Sequence, residues 1–138
     1  EVINYSKEDF AKKVLEITNG KGVSVVYDGV GKTTYDKSIE CLKLRGTMVS
    51  FGNASGPLDP IIVSKSLQPK GIYFVRPAMN QYFTNSEEIQ EAANMLFKQI
   101  SSGNVKIEIF KKYKLKDAIQ AHKDLEGRKI TGPAVIIP

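Results

Sequence analysis

The sequence has little of what most chemistry-bearing sites require. Its 138 residues include one cysteine, Cys41, and one histidine, His122. A lone cysteine forms no internal disulfide and fits a reducing compartment. One Cys and one His are too few for a closed zinc site, which takes about four N or S ligands. No apolar run approaches the roughly 18–20 residues that a membrane-spanning helix needs. The opening segment EVINYSKEDF lacks the basic-then-apolar pattern of a secretory signal. Internal repeats and low-complexity stretches are missing too. These absences point to a cytoplasmic globular protein with no metal and no membrane partner.

What is present agrees. Hydrophobic residues make up 41% and charged residues 25%, which is the composition of a chain able to bury a core rather than a disordered one. The formal net charge is +5, a modest positive field that would favour a phosphate-bearing ligand. The excess is scattered, apart from Lys111, Lys112, Lys114 and Lys116 around Tyr113. That run reads as a solvated face, and with no other nucleic-acid motif it suggests at most nonspecific binding. The chain begins with Glu1 and opens directly on an apolar stretch. It therefore reads as the continuation of a longer protein.

Extended and helical signals alternate. Val2-Ile3-Asn4-Tyr5 reads as a short strand. Ser6, with Asp9 three residues on, would cap a helix carrying Phe10, Val14 and Ile17 on one face and stopping at Gly20. The β-branched run from Val23 to Asp28 reads as a buried strand. A second helix is expected from Thr34 to Lys43, with Tyr35, Ile39 and Leu42 inward. Strands follow from Gly46 to Phe51 and from Gly71 to Val75. The clearest helix starts near Ser86, with Glu87 and Glu88 at its positive end, and stops at Ser102-Gly103. A strand from Val105 to Phe110, a helix from Leu115 to about Leu125 and a strand from Ala134 to Ile137 complete the chain.

This alternation predicts an α/β fold with a mainly parallel sheet and flanking helices. In such open sheets, ligands sit outside the carboxyl ends of the strands. Three places here qualify: Asp28 to Gly31, Phe51 to Gly56, and Val75-Arg76-Pro77. Asp28, with no proton-transfer partner in view, reads as a structural carboxylate rather than a general base. His122 reads as a packed, hydrogen-bonded side chain and Cys41 as a small core residue. No residue stands out as a nucleophile or other catalytic group.

The blocks VINY, EITNGKGVSVVYDGVG, LKLRGTMVSFGNASG, FVRPAM and YKLKDAIQAHKDLEGRKITG resemble, in order and spacing, those of the quinone oxidoreductases. These are the zeta-crystallin-like, zinc-free branch of the medium-chain dehydrogenases. The resemblance runs over essentially the whole chain and implies NADPH as hydride donor, a quinone as acceptor and a homodimer. It places Tyr5 near the adenosine ribose and its 2′-phosphate, and Gly29 and Val30 beside the adenosine and pyrophosphate. Phe51, Gly52, Asn53 and Ala54 would line the passage to the nicotinamide. Phe74, Val75 and Arg76 would offer backbone groups to the carboxamide, and Arg128 would reach the cofactor from the C-terminal segment.

The resemblance also shows what is missing. The family's glycine-rich phosphate turn precedes VINY, and Gly29-x-Gly31 does not replace it, because no third glycine opens a helix. The expected fold is thus a partial doubly wound, Rossmann-like sheet lacking its first two strands. Residues 1–138 would comprise the C-terminal part of a nucleotide-binding domain, plus the segment that packs on the family's catalytic domain. VINY then has no native neighbour and should be displaced, disordered or paired in a new way. The edge strand from Gly71 to Val75 would join two copies. The functional expectation is an incomplete NADPH site within a quinone reductase, inactive as this chain alone. The alternatives are a remnant that folds and dimerises without cofactor and, more weakly, a nonspecific nucleic-acid binder.

Overall fold

The structure, a computed structural model, describes residues 1–138. It divides into two compact units, Glu1–Tyr82 and Phe83–Pro138.

In the first unit, residues 2–5 form no strand. A strand needs a ladder partner for its backbone groups, and none lies alongside. The segment closes on itself instead: the Asn4 side chain accepts from Ser6 N–H at 3.1 Å, and its carbonyl accepts from Lys7 N–H at 2.9 Å. The first helix, α1 (Phe10–Ile17), is capped by Asp9 rather than by Ser6. The Asp9 carboxylate accepts from the N–H groups of Ala11 and Lys12 at 3.1 and 3.2 Å. Its second oxygen accepts from Lys37 at 2.8 Å, tying α1 to the next helix. That ion pair and the cap together hold the Asp9 carboxyl below its usual range.

Strand β1 (Val23–Asp28), helix α2 (Tyr35–Cys41), strand β2 (Leu42–Ser50) and strand β3 (Tyr73–Val75) build a parallel sheet in the order β1-β2-β3. Short helices α3 (Val63–Ser66) and α4 (Met79–Tyr82) flank β3 in sequence. The core is Tyr35, Leu42, Met48 and Ile72, with Val26, Ile39 and Phe74 packed against it. This core covers one face of the sheet. Val25, Tyr27, Tyr73 and Val75 stay exposed on the strands, so β1 is half-buried, not buried on both sides as its β-branched run suggests.

Helix α2 ends at Cys41, two residues earlier than expected, and β2 begins at once. Leu42 already pairs with Val23, and a bulge brings Thr47 opposite Val25. Arg45 turns through a left-handed backbone, φ 59°, to make this possible. The Lys70 ammonium closes the end of α2 by donating to the carbonyls of Ile39, Glu40 and Leu42 at 3.2, 2.8 and 2.7 Å. Those are acceptors that a helix terminus otherwise leaves open. Cys41 is buried, and burial pushes its thiol pKa up, as befits a core residue.

In the second unit, α5 (Ser86–Ser101) starts where Asn85 accepts from Glu88 N–H at 3.0 Å. The Glu88 carboxylate returns to Thr84 N–H at 2.6 Å, a reciprocal cap. Strands β4 (Lys111–Lys114) and β5 (Ala134–Ile137) pair in parallel, connected through α6 (Ala118–Glu126). The strand expected from Val105 to Phe110 does not form; β4 is instead the lysine run that read as a solvated face. Tyr113 explains the difference. It alone in β4 is buried, and its hydroxyl donates to Asp124 on α6 at 2.8 Å. Lys111 and Gln120 converge on the same carboxylate at 3.0 and 2.8 Å. These three donors, Tyr113 first, lower the Asp124 pKa to about 2. His122 is exposed on α6 rather than packed, and Ile119 and Leu125 are exposed as well.

Candidate nucleotide-binding rim

The first unit gathers its strand ends into one edge. Asp28 closes β1 and is paired in register with Ser50 at the end of β2, while Val49 is paired with Val75 at the end of β3. The turns that leave these ends are then bonded to one another. The Asp28 carbonyl accepts from Phe51 N–H at 2.9 Å and Gly52 N–H at 3.3 Å. Ala54 N–H donates to Gly29 O at 3.3 Å and Ser55 N–H to Val30 O at 2.7 Å. At the third end, the Arg76 guanidinium donates to Ser50 O at 2.6 Å.

The Asp28 side chain organises the first turn from within. Oδ1 accepts from the N–H groups of Val30 and Gly31 at 2.8 and 2.9 Å, and from Thr34 Oγ1 at 3.0 Å. Oδ2 accepts from Ser38 Oγ at 2.8 Å and again from Thr34 at 2.8 Å. Burial pulls its pKa up, yet the bonds from Gly31, Ser38, Thr34 and Val30 outweigh that and leave it below 3.8. A carboxylate with every lone pair engaged is structural, in line with its reading from sequence. Thr34 and Ser38 were not singled out there. Their signal was available, since hydroxyls six and ten residues after Asp28 fall at the cap and on the first turn of the following helix.

Two glycines are required by the turns themselves. Gly31 sits at φ 90°, where a side chain would be strained, and its Cβ would lie 2.8 Å from Gly56 O. At Gly52 a Cβ would overlap the Gly29 carbonyl and lie 2.7 Å from Gly29 Cα. The chain therefore uses Gly52 to let two turns touch, a role distinct from admitting a ligand.

The predicted residues fall into three groups. Tyr5, Gly29 and Val30 line one open cleft of about 280 Å³ with Phe10 and Asp28. There the Tyr5 ring stands edge-on to Phe10 at 6.4 Å. Phe51, Gly52, Asn53 and Ala54 follow β2 on the same edge, with the Phe51 ring exposed and lying over Gly29. Phe74, Val75 and Arg76 end β3, but the Phe74 side chain turns inward to meet Tyr35 edge-on at 6.3 Å. Arg128 belongs to the second unit, in a left-handed backbone just after α6.

A parallel sheet with flanking helices, its strand ends gathered on one edge, is the architecture of a Rossmann-like α/β domain. The family model described as zinc-binding dehydrogenase matches residues 1–136, and the chain belongs to that family. It is 46% identical over its whole length to a quinone oxidoreductase of Salmonella typhimurium. Identity is 44% over 99% of the chain to a 2-haloacrylate reductase of a Burkholderia species. The crystal structure of Escherichia coli quinone oxidoreductase complexed with NADPH superposes on all of the chain with a TM-score of 0.92 at 45% identity. The chain spans 43% of the length of the Salmonella protein and 43% of that Escherichia coli chain. No group of three or more His, Cys, Asp or Glu in this chain is arranged to hold a metal ion. No helix is long and apolar enough to cross a membrane.

Proposed function

We propose that this chain supplies the carboxyl-edge part of an NADPH site in a cytoplasmic oxidoreductase that reduces quinones. The observation that carries the reading is the single rim made by the ends of β1, β2 and β3, with their turns bonded across it. NADPH, when bound, supplies the hydride. The protein's part is to bind, orient and exclude water. Tyr5, Gly29 and Val30 would take the adenosine end in the cleft they share. The turn from Phe51 to Ala54 would direct the dinucleotide along the rim, and the backbone of Phe74, Val75 and Arg76 would hold the carboxamide. The first unit would be the C-terminal part of a nucleotide-binding domain, and the second would pack on a catalytic domain.

The relatives' length beyond the matched 43% would hold the quinone and the glycine-rich phosphate turn, so this polypeptide alone is expected to bind NADPH without turning over. A fluorescence titration tests this. Saturable micromolar binding with no quinone reduction supports the reading. No binding up to millimolar NADPH marks a folded remnant instead, and turnover by this chain alone overturns the assignment of the quinone site elsewhere. Pairing of β3 edges would give a homodimer. Light scattering that returns a strict monomer at micromolar concentration refutes that pairing.

A further inference from the structure

We infer that the Arg76 side chain is a positioning residue of the rim: through the Ser50 carbonyl, its guanidinium sets the direction in which Phe51 to Ala54 leave β2. This goes beyond the backbone role given to Arg76 above, and only its cofactor-binding arm rests on that reading.

The β2–β3 ladder has its last pair at Val49 and Val75. Pro77 follows two residues later and has no N–H with which to extend it. Ser50 is nearly inaccessible, 1% exposed, so a carbonyl left open there would carry a desolvation cost. Its own hydroxyl has no partner, and the side chain therefore does not anchor the tip. The Arg76 guanidinium fills the gap at 2.6 Å, a short charge-assisted bond. On the opposite side, Phe51 and Gly52 are held by the Asp28 carbonyl. The tip of β2 is thus clamped from both neighbours, once by backbone and once by Arg76. Arg76 is otherwise exposed, so packing gives it no other reason to point back across the sheet.

The test uses the whole 138-residue chain and the variants Arg76→Met and Arg76→Lys. Loss of a hydrogen bond to a charged donor is expected to speed amide exchange at residues 51–54 about tenfold. Amides inside β1 should respond less than this, and the melting temperature should fall by only a few degrees. Arg76→Lys, which keeps a cationic donor, should restore most of the protection. In the same variants NADPH binding should weaken about fivefold with methionine and recover with lysine, the lower end of such a loss. Unchanged exchange at 51–54 in Arg76→Met overturns the inference, as does equal acceleration throughout the sheet. Should Arg76→Met fail to fold, Arg76→Gln replaces it: its shorter, neutral donor should leave an intermediate acceleration at residues 51–54, and none there overturns the inference. If no form binds NADPH while exchange responds as stated, the proposed function falls and the positioning role stands.

Discussion

Replacing Asp28 by alanine removes the acceptor on which the first rim turn is built. Of its donors, Val30 N–H is only part-buried and can turn to water, and Thr34 keeps a second acceptor in Gly31 O at 3.2 Å. Gly31 N–H and Ser38 Oγ are buried and lose their partner outright. Each stranded donor costs about 1–3 kcal/mol, so Asp28→Ala should destabilise the first unit by about 2–6 kcal/mol. That is a large share of the roughly 5–15 kcal/mol typical of a domain. Asp28→Asn keeps an oxygen for Val30 and Gly31 but gives up the charge, and should cost about 1–2 kcal/mol. Urea unfolding followed by far-UV circular dichroism and tyrosine fluorescence measures both, since the chain has no tryptophan. The pH dependence carries a sign. Because the folded pKa lies below 3.8, the stabilising contribution is fully present above that value and is lost as pH falls through the folded pKa. The gap between wild type and Asp28→Asn should therefore close in acid. An Asp28→Ala protein within about 0.5 kcal/mol of wild type, inside the range of ordinary surface substitutions, would refute the reasoning.

Gly52→Ala should separate the two turns, because the new methyl meets Gly29 backbone that cannot swing away. A loss of about 1–3 kcal/mol is expected from such overpacking, read by thermal melting, whereas Gly56→Ala near only the Lys32 side chain tests strained φ alone. In the second unit, Asp124 has a folded pKa of about 2 against an ordinary 3.8. The contact between β4 and α6 should therefore hold at neutral pH and weaken as pH drops from about 4 towards 2. Asp124→Asn should flatten that acid transition in circular dichroism, and an unchanged profile would remove Asp124 as its cause.

Much of the fold could be read in the residues. The β-branched run to Asp28, the helix opening at Ser86 and the strand from Ala134 all form where local pattern and caps place them, because period and capping act within a few residues. The three strand ends named as the ligand edge do share one rim, since parallel strands joined by crossovers present their carboxyl ends on the same side. Residues 2–5 have strand-like composition but no ladder partner, and the segment from Val105 to Phe110 is paired only at its last residue, where Phe110 N–H donates to Pro133 O at 2.8 Å; one bond does not make a strand. The lysine run became β4 because Tyr113 meets Asp124 eleven residues on and Lys111 meets the same carboxylate thirteen residues on, contacts no local pattern announces. Composition and periodicity by themselves determined the α/β class, the parallel sheet and where its edge lies. Only tertiary packing decided that Asp28 faces inward to bind Thr34 and Ser38, that Gly52 admits Gly29, and that Arg76 turns back to Ser50. Those choices depend on which distant backbone groups burial leaves without water, and that is fixed only once the strands stand side by side.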